Sequence, residues 1–212
     1  MAKLTREKVT LIAGAGAAAM LSVAALVVAS ANAAPPGQAA PAFKEVNSQG
    51  KEVSLADFAG KTVILEWTND GCPYVQKHYN SKNMQNTQAA ALKDPNTVWI
   101  SVISSKPGSQ GFADAARANK LSTDRGAVPT HVLLDPDGSM GRAYDARTTP
   151  HMYIIKPDGK VAYNGAIDSI KSNNVADVPK ATNYVNTALA ALKAGKAPDP
   201  AITQPYGCDV KY

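Results

Sequence analysis

Apolar residues are grouped into short runs along this chain, and turn-forming residues separate the runs. Two runs, 62–68 and 96–104, are almost wholly apolar, which is typical of strands buried on both faces of a sheet. The segment 183–193 instead repeats apolar residues at helical spacing before a glycine ends it. Taken along the chain, the pattern predicts a hairpin over 43–55, a helical turn over 55–60, strands over 62–68, 96–104, 131–134, 151–155 and 160–164, and helices over 73–93 (with a break near Asn80), 111–119, 139–146 and 183–193.

Strands and helices alternate through most of this series, and the last two strands are separated by a short Pro-Asp-Gly turn. Alternation is typical of an α/β sheet, and a turn this short joins antiparallel neighbours. We therefore predict an α/β fold with a mixed central sheet, flanking helices and an N-terminal β-hairpin extension. The predicted boundaries are a flexible leader at 34–42, the folded domain at 43–196 and a C-terminal tail at 197–212.

The first 33 residues have the pattern of a targeting segment. Three basic residues, Lys3, Arg6 and Lys8, precede an uncharged run rich in Ala, Leu and Val, and the end of this segment fits a small-x-small cleavage site. We interpret residues 1–33 as a signal peptide, with an uncleaved membrane anchor as the alternative. Both interpretations predict export, and the periplasm is the compartment we expect. Disulfides persist in an oxidising compartment of this kind.

Composition limits the function further. The chain has 212 residues, of which 45% are hydrophobic, and this is enough for one core and one domain. The formal net charge is +5, and the basic residues form no cluster with interleaved aromatic residues. We therefore expect no binding to nucleic acid. Nothing in the pattern predicts an oligomeric state.

The chain has two cysteines, and the position of Cys72 is the more informative. Cys72 follows the strand predicted at 62–68, and Pro73 suits the first position of a helix because its missing N–H needs no partner there. A cysteine at a helix N-terminus faces unpaired N–H groups and the positive end of the helix dipole, which favour the thiolate. Cys208 lies near the end of the chain. The two cysteines together indicate redox chemistry.

The order strand, cysteine loop, helix, strand, helix, Thr-Pro strand, hairpin and helix resembles the thioredoxin fold. The segments 69–75, 148–155 and 205–212 look like those of its peroxiredoxin-like branch. This is the redoxin or alkyl hydroperoxide reductase–thiol-specific antioxidant family. The resemblance covers roughly residues 41–212.

The resemblance implies a role for several residues. Cys72 is expected to be catalytic, and Cys208 is expected to be a resolving thiol on a mobile tail. Pro150 is expected to be a cis-proline that packs beside Cys72. Since proline has no N–H, the backbone of Thr149 before it is expected to pair with a partner chain.

The sequence departs from the pattern of its relatives at three positions. Val75 stands where thioredoxin has the second cysteine of Cys-x-x-Cys, so the usual local disulfide cannot form. Leu65 and Asn69 stand where typical peroxiredoxins have a proline and a hydroxyl residue that positions the peroxide. We expect Asn69 or the neighbouring Thr68 to take the place of that hydroxyl. Trp67 is predicted to form an apolar wall for the substrate.

These features predict an exported, thiol-dependent peroxidase with antioxidant activity. The Cys72 thiolate attacks a peroxide and becomes a sulfenic acid, and Cys208 then attacks Cys72 to form a disulfide. A reductant thiol protein restores both thiols by exchange. This chemistry requires no metal and no organic cofactor.

Two other functions stay open. The protein is alternatively a thiol–disulfide oxidoreductase that acts on protein cysteines, or a noncatalytic domain in which Cys72 and Cys208 form a structural disulfide. A metal site formed by His78 and Cys72 is a minor alternative. We expect His78 instead to lie on a helix surface.

Overall fold

A computed structural model describes residues 34–212. The predicted signal peptide lies outside the described residues. In chain order the described part contains β1 (Lys44–Asn47), β2 (Glu52–Ser54), a 3-10 turn (Leu55–Phe58), β3 (Thr62–Trp67), α1 (Pro73–Asn80), α2 (Asn83–Ala91), β4 (Thr97–Ile103), α3 (Ala115–Arg125), β5 (His131–Leu134), α4 (Ser139–Ala143), β6 (Thr148–Thr149), β7 (His151–Ile155), β8 (Val161–Gly165), a second 3-10 turn (Val175–Lys180), α5 (Tyr184–Lys193) and β9 (Cys208–Asp209). In this part of the chain, no helix has the length and apolar character that a membrane crossing requires.

Seven strands form one sheet in the order β2-β1-β5-β4-β3-β7-β8. Strands β3, β4 and β5 run parallel at its centre, whereas β1, β2, β7 and β8 pair antiparallel with their neighbours. The β7–β8 hairpin forms one edge, and the β1–β2 hairpin extends the other. This arrangement confirms the predicted α/β fold with a mixed central sheet and an N-terminal hairpin extension.

Alternate residues of β3 belong to two hydrophobic clusters. Val63, Leu65 and Trp67 pack in one cluster, and Ile64 packs in the other together with Cys72. Because successive side chains of a strand point to opposite faces, the two clusters lie on the two faces of the sheet. Every residue of β3 after the first is buried, which explains why this strand is apolar almost throughout.

Local capping sets the bounds of the helices. α1 and α2 are separate, in agreement with the break predicted near Asn80. α3 spans Ala115–Arg125 rather than the predicted 111–119. The Asp114 carboxylate caps this helix by accepting a hydrogen bond from a first-turn N–H at 2.8 Å, and Gly126, at φ 62°, ends it.

The leader at 34–42 is hydrogen-bonded to the domain. The Gly37 N–H donates to the carbonyl oxygen of Val161 at 2.8 Å, and the Val161 N–H donates to the carbonyl oxygen of Gln38 at 2.9 Å. Residues 37–40 therefore run beside β8. The structure corrects the expectation of a flexible leader, because backbone bonds fix the segment.

The tail at 197–212 also returns to the domain. Its first part runs beside β8, where the Thr203 N–H donates to the carbonyl oxygen of Asn164 at 3.0 Å. Its last part contains β9, which forms a separate two-stranded sheet with β6. The structure therefore corrects the expectation of a mobile tail and brings Cys208 back to the centre of the molecule.

Candidate redox site

Cys72 occupies the N-cap position of α1, in the turn that follows β3, and Pro73 is the first residue of the helix, as predicted. The Cys72 N–H donates to the carbonyl oxygen of Asn69 at 3.1 Å and fixes this turn. The Cys72 side chain is 0% exposed, and its Sγ lies 3.1 Å from the carbonyl oxygen of Thr149. The sulfur thus lies at the carboxyl end of a central strand, against the segment that precedes β7.

Cys208 lies beside Cys72. The peptide bond between Thr149 and Pro150 is cis, as the resemblance implied. β9 pairs antiparallel with β6, and Cys208 is directly opposite Thr149. Cys208 packs against the hydrophobic cluster that contains Cys72, and both cysteines are free thiols. Four of the residues predicted for the site, Cys72, Thr149, Pro150 and Cys208, therefore meet in one place.

The two thiols differ in acidity. Burial acts to raise the pKa of Cys72, but hydrogen bonds from the Cys208 thiol, the Val75 N–H, the Cys208 N–H and the Thr149 hydroxyl outweigh it and lower that pKa below its usual value. Burial and the neighbouring Cys72 sulfur raise the pKa of Cys208 to about 12. Cys72 is therefore the more acidic thiol of the pair, and Cys208 is the less acidic one.

A glycine allows the tail to lie this close to β6. Gly207 has φ 140°, a conformation that side chains disfavour, and a Cβ at this position would overlap the carbonyl oxygen of Thr149. On the other side of Cys208, the Val210 N–H donates to the carbonyl oxygen of Arg147 at 3.0 Å. The backbone of the tail is thus fixed on both sides of Cys208.

Tyr206 anchors the tail in a buried polar cluster. Lys77 Nζ lies 3.0 Å from Asp168 Oδ2 and 3.2 Å from the Tyr206 hydroxyl, which itself donates to Asp168 Oδ1. His78 Nε2 lies 3.3 Å from the same hydroxyl, and His78 Nδ1 lies 2.8 Å from Asn83 Nδ2. We call these five residues the tail-anchoring cluster. It joins α1, the loop after β8 and the tail.

The burial of this cluster corrects the expectation that His78 lies on the helix surface. Lys77 is 1% exposed and His78 is 0% exposed. Burial lowers the pKa of His78 to about 4, with Asp168 opposing the shift and Lys77 adding to it. A polar pair on a helix normally indicates a solvated face. The sequence held no nearby signal for the burial, because Asp168 is 91 residues from Lys77.

Glu66 is the centre of a second buried cluster. Its Oε1 accepts a hydrogen bond from the Tyr79 hydroxyl at 2.7 Å, and its Oε2 accepts from Trp99 Nε1 at 2.9 Å, Ser101 Oγ at 3.1 Å and Gln88 Nε2 at 3.2 Å. Burial raises the pKa of Glu66, although the donors act to lower it. We call these five residues the strand cluster. Glu66 has no predicted role, and the one signal for it in the sequence is an acid inside an apolar strand.

The side chains of three residues predicted to bind substrate pack in the core, bond within the turn or line a cavity to which Cys72 does not contribute. Trp67 is fully buried in the hydrophobic cluster on the other face of the sheet from Cys72. The Asn69 side chain is used in the turn, where its Oδ1 accepts a hydrogen bond from the Gly71 N–H at 2.9 Å. Thr68 and Asn69 line a small cavity beside α3, and Cys72 is not part of its lining. The structure therefore assigns these three residues to the core and the turn.

A mixed sheet of this strand order, with a cysteine at the start of the helix after β3 and a cis-proline before β7, defines a thioredoxin-like fold. A family comparison agrees with this class. The chain belongs to the Redoxin family, whose model matches residues 35–184. Both findings confirm the predicted fold and family and place the chain among thioredoxin-like redox proteins.

Individual proteins resemble the chain less closely. The thiol-disulfide oxidoreductase ResA of Bacillus subtilis (strain 168) is 28% identical over 132 residues, which cover 59% of this chain and 64% of ResA. The chain therefore spans less than two thirds of that relative's length. An uncharacterised conserved protein of Geobacillus kaustophilus superposes with a TM-score of 0.71 at 24% identity, covering 85% of this chain and 94% of the other. A hypothetical protein of Sinorhizobium meliloti 1021 gives 0.69 at 19% identity, with coverages of 85% and 96%. These two structures support the fold alone.

Proposed function

We propose that the protein is a thiol–disulfide oxidoreductase whose redox pair is Cys72 and Cys208. The observation that carries the proposal is the position of Cys208, which β9 holds opposite Thr149 and against the cluster that contains Cys72. The relative that is 28% identical supports it, because that protein is a thiol-disulfide oxidoreductase. This activity was the alternative in the sequence analysis, and it is now better supported than peroxide reduction.

The pair replaces the Cys-x-x-Cys arrangement that Val75 excludes. In the oxidised protein an S–S bond joins Cys72 and Cys208. A partner thiolate attacks one sulfur of this bond, the other sulfur leaves as a thiolate, and a second partner thiol completes the exchange. The partner becomes a disulfide and the two cysteines become thiols. The reverse sequence reduces a partner disulfide.

Peroxide reduction has less support from the site. A peroxide must reach the Cys72 sulfur, which is completely buried beneath the tail. The residue at the usual hydroxyl position, Asn69, uses its side-chain oxygen in the turn, and the Thr68 hydroxyl lies at a different cavity. When reduced protein is mixed with hydrogen peroxide, we expect Cys72 to react no faster than an unperturbed thiol. A rate several orders of magnitude higher, absent in Cys72→Ser, would restore the peroxidase function.

A redox titration tests the proposed function against a purely structural disulfide. The full chain is equilibrated with mixtures of reduced and oxidised dithiothreitol or glutathione, quenched with acid and alkylated, and the thiols are counted by intact mass. We expect one two-electron transition between about −120 and −270 mV, the range of exchange proteins, and none in Cys72→Ser or Cys208→Ser. A potential below about −300 mV would identify a structural disulfide and remove the proposal.

We also propose that the protein is exported. The support is the basic and then apolar pattern of the first 33 residues, together with a redox pair that an oxidising compartment suits. The test is N-terminal sequencing of protein from fractionated cells. A mature N-terminus near Ala34 in the exported fraction is expected, and full-length protein retained in the cytoplasm would refute export.

A further inference from the structure

The tail covers both the Cys72 side chain and the backbone edge of Thr149, which a partner of Cys72 has to reach. The Cys72 side chain is 0% exposed. The backbone edge of Thr149, at which we expected a partner chain to pair, is already paired with Cys208 in β9. A partner that attacks the Cys72 sulfur must therefore displace the tail first.

Several contacts oppose this displacement. The Tyr206 hydroxyl, two residues before Cys208, is buried in the tail-anchoring cluster with the Lys77–Asp168 ion pair. At the other end, the Tyr212 hydroxyl donates to a carbonyl oxygen of the domain at 2.6 Å. Between these anchors Cys208 itself remains half-buried rather than fully covered. Cys208 is therefore the less buried cysteine of the pair, and Cys72 is the more buried one.

We propose that a partner thiol attacks the pair at Cys208, and that Cys72 is the buried leaving group. The proposal rests on the proposed thiol–disulfide exchange and names the sulfur at which it takes place. The tail then serves as the contact point for the partner, and it does not have to leave the domain during the first step.

The reaction has two balanced steps. In the first, the partner thiolate forms a bond to Cys208 Sγ, the bond between Cys208 and Cys72 breaks, and its electron pair leaves on Cys72. In the second, another thiolate of the partner attacks the partner sulfur of this mixed disulfide and releases the Cys208 thiolate, which takes a proton. The partner dithiol is oxidised to a disulfide, and the two cysteines of the protein are reduced.

The acidity of the two thiols supports this order. The Val75 N–H, the Cys208 N–H and the Thr149 hydroxyl act to lower the pKa of Cys72 and do not depend on the Cys208 thiol, and a thiol of lower pKa leaves faster. Burial, which is the largest cause, raises the pKa of Cys208, so Cys208 is the poorer leaving group. Attack at Cys208 expels the better leaving group, whereas attack at Cys72 expels the worse one.

This geometry also indicates the kind of partner. An attack at Cys208 requires a cysteine that reaches the tail from solvent and does not require a strand that pairs with Thr149. An exposed cysteine on a flexible segment of a protein fits this requirement. Glutathione is a suitable probe, because it is small enough to reach either sulfur once that sulfur is accessible.

The test locates the first mixed disulfide. Oxidised full-length protein is mixed with excess glutathione, quenched in acid over a series of short times, alkylated with N-ethylmaleimide and mapped by peptide mass spectrometry. We expect glutathione on Cys208 and N-ethylmaleimide on Cys72, at least tenfold more than the reverse, on extrapolation to zero time. Glutathione on Cys72 in equal or greater amount overturns the proposal while leaving the proposed function intact. No adduct on either cysteine, with the disulfide unchanged, overturns both.

A glycine variant tests the role of the tail. Gly207→Ala places a Cβ against the Thr149 carbonyl oxygen and should release β9. We expect the preference for Cys208 to fall at least tenfold in this variant. Gly195→Ala is the matched control, because Gly195 also has positive φ, at 71°, but faces open space. A preference unchanged in Gly207→Ala, with β9 shown to be released by faster alkylation of Cys72 in the reduced protein, would contradict the covering role of the tail.

Discussion

Neighbouring residues of α1 supply two buried polar clusters that differ in how the chain builds them. Tyr79 belongs to the strand cluster, whose five residues all lie between Glu66 and Ser101. Lys77 belongs to the tail-anchoring cluster, whose other members extend to Asp168 and Tyr206. The strand cluster is completed when β3, α1, α2 and β4 assemble, and the tail-anchoring cluster only when the tail docks.

The difference means that the strand cluster supports the fold, whereas the tail-anchoring cluster also holds the tail over Cys72. Polar groups in the strand cluster satisfy one another inside the sheet and helices, without a residue of the tail. Those in the tail-anchoring cluster stay buried only while Tyr206 is in place, and Tyr206 positions Cys208 two residues later. Changes in the first cluster should therefore alter stability, whereas changes in the second should alter both stability and the accessibility of Cys72.

The largest effect is expected from breaking the ion pair of the tail-anchoring cluster. Lys77→Met leaves the Asp168 carboxylate buried without its cation, and losing one partner of a buried pair costs about 3–5 kcal/mol. The free energy of unfolding in urea measures the loss. Lys120→Met is the matched control, because the Lys120–Asp124 pair is exposed and should contribute less than about 1 kcal/mol. Equal losses in the two variants would show that the buried pair has no special role.

The second-largest effect is expected from acid, which should lower the free energy of unfolding through the tail-anchoring cluster. The pKa of His78 is lowered from 6.5 to about 4, so the unfolded chain binds a proton at a higher pH than the native protein does. Stability from this residue is therefore complete above pH 6.5 and is lost as the pH falls towards 4, by about 3 kcal/mol. Unfolding free energies at pH 7.5, 5.5 and 4.5 measure the loss. His78→Gln should flatten the curve, and parallel curves for variant and parent would refute the assignment.

Removing one hydroxyl should have a smaller effect on stability and a clear effect on the site. Tyr206→Phe deletes the hydrogen bond to the Asp168 carboxylate, which is worth about 2 kcal/mol because its acceptor is charged. In reduced protein we also expect iodoacetamide to alkylate Cys72 several-fold faster. Tyr184→Phe, at a half-buried tyrosine of α5, is the control and should leave the rate unchanged. Stability loss without faster alkylation would separate Tyr206 from the covering of Cys72.

The smallest effect is expected in the strand cluster. Burial raises the pKa of Glu66, so its contribution to stability is complete below its unfolded pKa and declines as the pH rises through its native pKa. Glu66→Gln removes the charge and keeps the shape, and we expect a change within about 1 kcal/mol at pH 7. Relative to the parent, the variant should gain stability as the pH rises above 4.5. A relative loss over that range would mean that the charged form is the one the cluster stabilises.

The segment from β3 to α1 was predictable because its signals are local. An apolar run indicates a buried strand, and Pro73 directly after Cys72 indicates where the helix begins. The resemblance implied that Pro150 packs beside Cys72, and the structure places the Thr149–Pro150 segment against the Cys72 sulfur. These elements are specified by a few adjacent residues, so later folding steps do not change them.

The contacts that complete the site were not predictable in the same way. Lys77 and His78 look like a solvated helix face, and their burial depends on segments about 90 and 130 residues further along the chain. The tail has no apolar periodicity that would predict docking. Trp67 was assigned to the site by its closeness in sequence, although the alternation of β3 places it on the opposite face of the sheet from Cys72. Closeness in sequence did not predict closeness in space here, because successive side chains of a strand point to opposite faces of the sheet.

The leader beside β8 has a consequence for how copies of the protein meet. An open strand edge offers a row of unpaired N–H and C=O groups on which another chain can add a strand and begin to aggregate. Residues 37–40 occupy this position at the start of β8 and beside the two residues before it, and residues 201–203 bond to Asn164 near the other end of the strand. At the far side of the sheet, within residues 34–212, the outermost strand is β2, which has three residues and carries the charged Glu52. The leader and the tail thus cover the β8 edge and oppose growth of the sheet from one molecule to the next.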